Sequence, residues 1–192
     1  MRTRNFLGTV PFLALLVVAG CGGAGHEPDP AMAKHMEMMK ADSAADAQMA
    51  AQEAAVKSII DVLNSGSMEG LDKVMAADIV DHQQDPTVTT TGLQGAKDMF
   101  AMVRTAYPDF KQEILGMSTS GDRTYIHFRM TGTNTGPWGD MPATGKTTDV
   151  MGVDIFRFQD GKCAEHWGYM EEMKMMTQLG LMPAPGEEPK KK

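Results

Sequence analysis

The stretch Thr147–Trp167, TTDVMGVDIFRFQDGKCAEHW, constrains the fold of this chain more than any other. Two β-rich runs meet at Gln159-Asp160-Gly161-Lys162, and an Asp-Gly corner between strand-like runs is the strongest short-range hairpin signal in a sequence. In the first run Val150, Gly152, Asp154, Phe156 and Phe158 point to one side, and Met151, Val153, Ile155 and Arg157 to the other. Both faces are therefore largely apolar. Asp154 is the anomaly, because a carboxylate set among phenylalanines is costly unless it finds a partner. It is the first candidate for chemistry.

The N-terminus is expected to be an address rather than part of a fold. Arg2 and Arg4 precede an apolar core, Phe6 to Val18, of signal-peptide length, and Val18-Ala19-Gly20 supplies small residues before Cys21. Val-Ala-Gly-Cys resembles the bacterial lipobox. The resemblance implies a signal peptide over residues 1–20, cleavage before Cys21, and lipid on that cysteine, which would hold the chain stably at an envelope membrane. A soluble secreted protein cut at the same place is the alternative. If Cys21 carries lipid, Cys163 has no partner for a disulfide, and core packing alone must stabilise the domain. Removing residues 1–20 takes Arg2 and Arg4 from the 18 Lys and Arg and none of the 25 Asp and Glu, which leaves a formal charge of −9. Such an acidic chain lacks the basic patch that nucleic acid would require.

Gly22–Ala31 reads as a Gly/Pro tether, followed by a helical region from about Met32 to Leu63 that is rich in Ala, Met, Glu, Lys and Gln. Only its second half carries an aliphatic stripe, Val56, Ile59, Ile60 and Leu63. Its first half places Met32, His35, Met36 and Met39 at i, i+3, i+4 and i+7, with Met38 and His26 nearby. Thioethers and imidazole suit Cu(I), whereas a Met face that packs on another surface, or simply forms helix, accounts for the same residues.

The remaining elements are expected in this order: a short helix at Met68–Met75, a strand at Ile79–Gln83, and a third helix with Leu93, Ala96, Phe100, Val103 and Tyr107 on one face, ended by Pro108. Strands at Phe110–Met117 and Thr124–Thr133, a Gly/Pro loop at Gly136–Gly145, the hairpin and a last helix at Glu171–Leu179 complete the domain. In the Thr124–Thr133 strand, Thr124, Ile126, Phe128 and Met130 share one side, and Tyr125, His127 and Arg129 the outer or dimer-facing side. Pro183–Lys192 is a charged tail with nothing to bury. Helices followed by consecutive antiparallel strands make an α+β layout, a curved sheet closed by helices around a conical pocket.

Several segments, in order, carry a family resemblance: Leu93-Gln94-Gly95, Ala106-Tyr107-Pro108-Asp109-Phe110, Thr131-Gly132-Thr133-Asn134-Thr135-Gly136, Pro142-Ala143-Thr144-Gly145-Lys146, Gly152 to Phe158, and Glu165-His166-Trp167. Together they resemble the SnoaL-like polyketide cyclase (ester cyclase) family of the nuclear transport factor 2-like superfamily. The resemblance implies a cone-shaped barrel over residues 45–182, often a homodimer, preceded by the lipidated cysteine and Met-rich arm of residues 21–44. It implies a polyketide-ester pocket and an intramolecular aldol closure without metal or organic cofactor, with the proton moved by an aspartate in the position of Asp154. Cyclisation of polyketides is cytoplasmic work, whereas the leader directs this chain outward.

Asn134 stands where relatives often carry His, so Asp140 and His166 are the candidate partners of Asp154. His166 shares its strand face with Ala164 and Gly168, which leaves room for a ligand, although a hydrogen-bonded core histidine fits that position too. His82, Phe100, Trp138, Phe156 and Trp167 are the expected pocket residues, with Trp138 as a lid. Asp81, His82, Asp154 and His166 have no metal-ligand spacing. Two functions remain open: an acid/base enzyme acting on a small hydrophobic carbonyl compound, and a non-catalytic envelope protein that binds an apolar ligand or Cu(I).

Overall fold

The computed structural model describes residues 29–183 and Gly186. The leader, Cys21, His26 and most of the charged tail lie outside the described residues. The chain divides into two compact units, Met1–Met38 and Met39–Lys192, and the fold below is that of the second. Among the described residues no helix is long and apolar enough to cross a membrane.

Helix α1 (Pro30–Ser65) buries nothing before Gln52; Ala55, Val56, Ile59, Ile60 and Leu63 then form its core stripe. The one-turn α2 (Leu71–Val74) leads directly into β1 (Met75–Asp81), so Met75 opens the first strand rather than closing a helix. Helix α3 (Gly92–Ala106) stops before Pro108, and β2 (Lys111–Ser120) and β3 (Arg123–Thr133) follow as an antiparallel pair. The long hairpin is β4 (Thr147–Gln159) with β5 (Lys162–Met170), and α4 (Glu172–Leu179) closes the domain. At the hairpin corner Asp160 and Gly161 both have positive φ, 51° and 77°. That is the type I′ geometry an Asp-Gly dipeptide favours, and its twist matches that of the flanking strands.

The sheet order is β1-β5-β4-β3-β2. Four strands form the antiparallel meander expected from the sequence. β1, the first in the chain, runs parallel to β5, the last, with Asp81 opposite His166. The sheet is therefore mixed. Alternation along the strands sets its two faces. Thr124, Ile126, Phe128, Met130, Val150, Phe156 and Phe158 are buried against Ile59, Ile60, Leu71, Ala96 and Tyr107 of the helical layer and its connections. Tyr125, Met151, Val153 and Tyr169 remain exposed on the opposite face. On the buried face Gly152 sits opposite Phe128, whose ring lies over the missing side chain.

A Cβ at Gly152 would strike the end of the Phe128 ring and the Tyr169 carbonyl oxygen, one of which is rigid backbone. Gly152→Ala should therefore destabilise the fold by about 1–3 kcal/mol, as overpacking does elsewhere. Urea unfolding followed by circular dichroism checks this; an unchanged midpoint would show that the sheet is not held by this contact.

Candidate active site

The concave face of the sheet and helices α1, α3 and α4 enclose a cavity of about 650 Å³. Its walls are mainly apolar, from Ile59, Ile60, Leu63, Met99, Phe100, Val103, Phe128 and Phe156, among others. Seven of the lining residues are methionines, including Met130, Met141, Met170, Met175 and Met176. The polar groups gather at one end.

Strand β4 carries Asp154 inward, as the alternation predicts, and leaves it only 8% exposed. It is not isolated. Its Oδ2 accepts a hydrogen bond from Gln112 Nε2 at 2.8 Å, and its Oδ1 lies 3.5 Å from His166 Nε2. The other nitrogen of that ring, Nδ1, is 3.1 Å from Asp81 Oδ1, and the backbone N–H of Gln83 donates to the same oxygen at 3.0 Å. His166 is thus held between two carboxylates that come from strands on either side of its own.

Backbone pairing makes the arrangement specific. Asp154 faces Gly168 across the β4–β5 ladder, Phe156 faces His166, and His82 N–H donates to the His166 carbonyl at 2.9 Å. A Cβ at Gly168 would come within 3.0 Å of Asp154 Oδ1 and 3.3 Å of His166 Cε1. The missing side chain is what lets the carboxylate and the imidazole approach. Gln112 is fixed in turn by Asn64, whose side chain bonds both the N–H and the carbonyl of Gln112 at 2.7 and 2.9 Å.

Burial alone would pull the His166 pKa down, but the Asp154 and Asp81 carboxylates on either side of the ring outweigh it and push it up to about 9. At neutral pH the ring is a cation, with Nδ1–H donating to Asp81 and Nε2–H facing Asp154 Oδ1 at ion-pair distance. For Asp81 burial acts upward, and the hydrogen bond and charge of His166, the Gln83 N–H and the charge of His82 together hold the carboxyl below its usual value.

The other expected site residues are placed as follows. His82, Phe100, Trp138 and Phe156 line the cavity. Trp138 Nε1 donates to Asp85 Oδ2 at 2.9 Å, and its ring meets Tyr107 edge-on at 6.2 Å, so the Gly/Pro loop is tied across the mouth. Trp167 does not line the cavity. Adjacent strand residues point to opposite faces, and with His166 directed inward Trp167 is directed away, stacked on His82 at 4.4 Å with Arg123 over its ring at 5.1 Å. Asp140 is exposed and also outside the cavity wall. Trp138 and Met141 pair through two backbone hydrogen bonds, which leaves Gly139 and Asp140 as the outward tip of the turn. Asn134 is a staple for the loop. Its amide donates to the Ala106 and Gly136 carbonyls, and its oxygen accepts from the N–H and hydroxyl of Thr144.

Gln112 and the role of Asp81 were not found from the sequence. Gln112 shares an inward parity with Phe110 and Ile114, the same kind of signal that singled out Asp154. Among the described residues no three His, Cys, Asp or Glu side chains converge as a metal site. Cys163 is buried, and desolvation pushes its thiol up to about 12, which leaves it unreactive.

Comparison with known proteins agrees with this fold. The sequence model of the SnoaL-like polyketide cyclase family matches residues 53–179. Among curated proteins none matches the chain at a significant level. Among solved structures, TsrD from Streptomyces laurentii superposes with a TM-score of 0.64 at 23% identity, covering 69% of this chain and 97% of that one. AclR from Streptomyces galilaeus gives 0.60 at 24% identity, covering 70% and 99%. A SnoaL-like polyketide cyclase from Agrobacterium tumefaciens gives 0.57 at 19% identity, covering 67% and 98%.

Because the His166 pKa is raised from 6.5 to about 9 on folding, its contribution to stability is complete below about pH 6.5 and is lost as pH rises to about 9. Asp81, shifted down, contributes above about pH 4 and loses its share in acid. Melting temperature should fall between pH 6.5 and 9 in the wild type, and His166→Gln should flatten that segment; an equal slope in the variant would show that His166 is not held as a cation. Residues 53–179 match the family model, the fold agrees with that of its structurally characterised members, and the chain belongs to the SnoaL-like polyketide cyclase family.

Proposed function

We propose that the cavity binds a small hydrophobic carbonyl compound and that Asp154 moves a proton on it, with no metal or organic cofactor required. The observation that supports this most directly is the unequal holding of the two Asp154 oxygens. Oδ2 is bonded to Gln112 at 2.8 Å, whereas Oδ1, at 3.5 Å from His166, is beyond a good hydrogen bond and is the atom left to meet a substrate.

In this reading Asp154 Oδ1 takes a proton from the carbon next to a carbonyl group. The electron pair of that C–H bond forms an enolate, and the His166 cation lies beside the carboxylate to offset the developing negative charge. In an aldol closure the enolate carbon then bonds to a second carbonyl carbon of the same molecule. The resulting alkoxide takes back a proton from Asp154, so atoms and charge balance. The apolar walls fold the flexible substrate and exclude water, which brings the two reacting carbons together. Asp81 acts through His166: it fixes the ring by Nδ1 and keeps its proton in place.

The leader sequence supports an envelope location, with the domain tethered by lipid on Cys21. An exported cyclase of this family would meet a different substrate pool from its cytoplasmic relatives. A non-catalytic ligand-binding protein is the second reading, favoured by the thioether-rich wall, which suits apolar binding without chemistry.

Deuterium uptake at the activated carbon of aromatic β-keto esters, followed by NMR in D2O, separates the two. Asp154→Asn should retain ligand affinity and melt within a few degrees of the wild type, while exchange falls by about 10²-fold or more. Compounds that bind the wild type yet exchange no faster than in buffer would establish the binding reading instead.

A further inference from the structure

The first turns of α1 carry chemistry that the cavity does not use. We propose that Met32, His35 and Met36 form a surface site for Cu(I).

Three observations lead there. First, the helix is real over this segment: α1 begins at Pro30, so residues 32, 35 and 36 stand at i, i+3 and i+4 on one face, with β-carbons about 5–6 Å apart. Unbranched thioether arms and an imidazole rooted at that spacing can meet on one ion without bending the backbone.

Second, among the described residues nothing buries this part of the helix, so the competing explanation for a methionine stripe, packing in a core, is absent there. Met32 is 60% exposed and Met36 52% exposed, His35 is exposed, and α1 buries no residue before Gln52. Apolar surface left in water forgoes about 25 cal/mol per Å² of stabilisation, and Ala, Glu or Lys would form the helix as well. Helix propensity therefore explains the helix but not the choice of methionine.

Third, the ligand set is selective. Thioethers are poor ligands for Mg²⁺, Ca²⁺ and Zn²⁺ and good ones for Cu(I), and a neutral imidazole completes a soft three-coordinate set. Among the described residues, Cys163 and His166 offer no competing site. Cys163 is buried with its proton tightly held, and the His166 ring is enclosed between Asp81 and Asp154.

The test is an anaerobic titration of the full chain in detergent against bicinchoninate-bound Cu(I), with Cys21→Ser in every sample so that the one remaining thiol is the buried Cys163. The parent should withdraw one equivalent of Cu(I), with sulfur and nitrogen scatterers in the copper X-ray absorption spectrum. Met32→Leu with Met36→Leu should weaken that binding at least tenfold while helix content by circular dichroism stays constant, because Leu and Met have similar helix propensity and both sites are exposed. His35→Ala should remove the nitrogen scatterer. Met173→Leu, an exposed methionine on α4, should change nothing. Failure to withdraw copper, or equal affinity in the double leucine variant, would overturn the proposal; the second result would place the metal on other ligands of the chain. Either outcome leaves the Asp154 chemistry unaffected, since deuterium exchange is measured without copper.

Discussion

A histidine held between two carboxylates organises the interior of this domain. Each group would be costly to bury by itself, and the three are set to offset one another: Asp81 and Asp154 keep the imidazole charged, and the imidazole in turn holds the Asp81 carboxyl below its usual value within an otherwise apolar chamber. Removing one member would leave an uncompensated charge. The set is therefore a structural commitment as well as a chemical one, which ties the strands that carry it to a single register.

That register is the reason the first strand matters. β1 joins the sheet parallel to β5 and delivers Asp81 opposite His166, while the β4–β5 ladder delivers Asp154 from the other side. The helices contribute walls but none of the three charges. Asn64 on α1 sets Gln112 so that one oxygen of Asp154 is occupied and the other is free.

Much of this was legible in the sequence, and the parts that were not share a physical cause. The Asp-Gly corner announced the hairpin, alternation put Asp154 and Phe156 inside and Tyr125 and His127 outside, and the small residue at Gly168 marked space beside His166. All of these are local properties. The pairing of Asp81 with His166 spans 85 positions and is closed by a parallel strand contact that no local period encodes. Trp167 shows a rule left unapplied: the alternation that turns His166 inward must turn its neighbour away. Asp140 shows the converse, because its position as a turn tip depends on a backbone pairing between Trp138 and Met141 that only the folded loop reveals.

The methionine-rich lining has a consequence for how the chamber can discriminate. Thioether chains rotate at low cost and adjust to whatever outline is presented, so the greasy walls are tolerant of shape, whereas the polar end is rigid and cannot relocate. Selectivity is thereby divided in space. The rest of a guest molecule is accepted by bulk, and only the few atoms that must reach the carboxylate are judged by position.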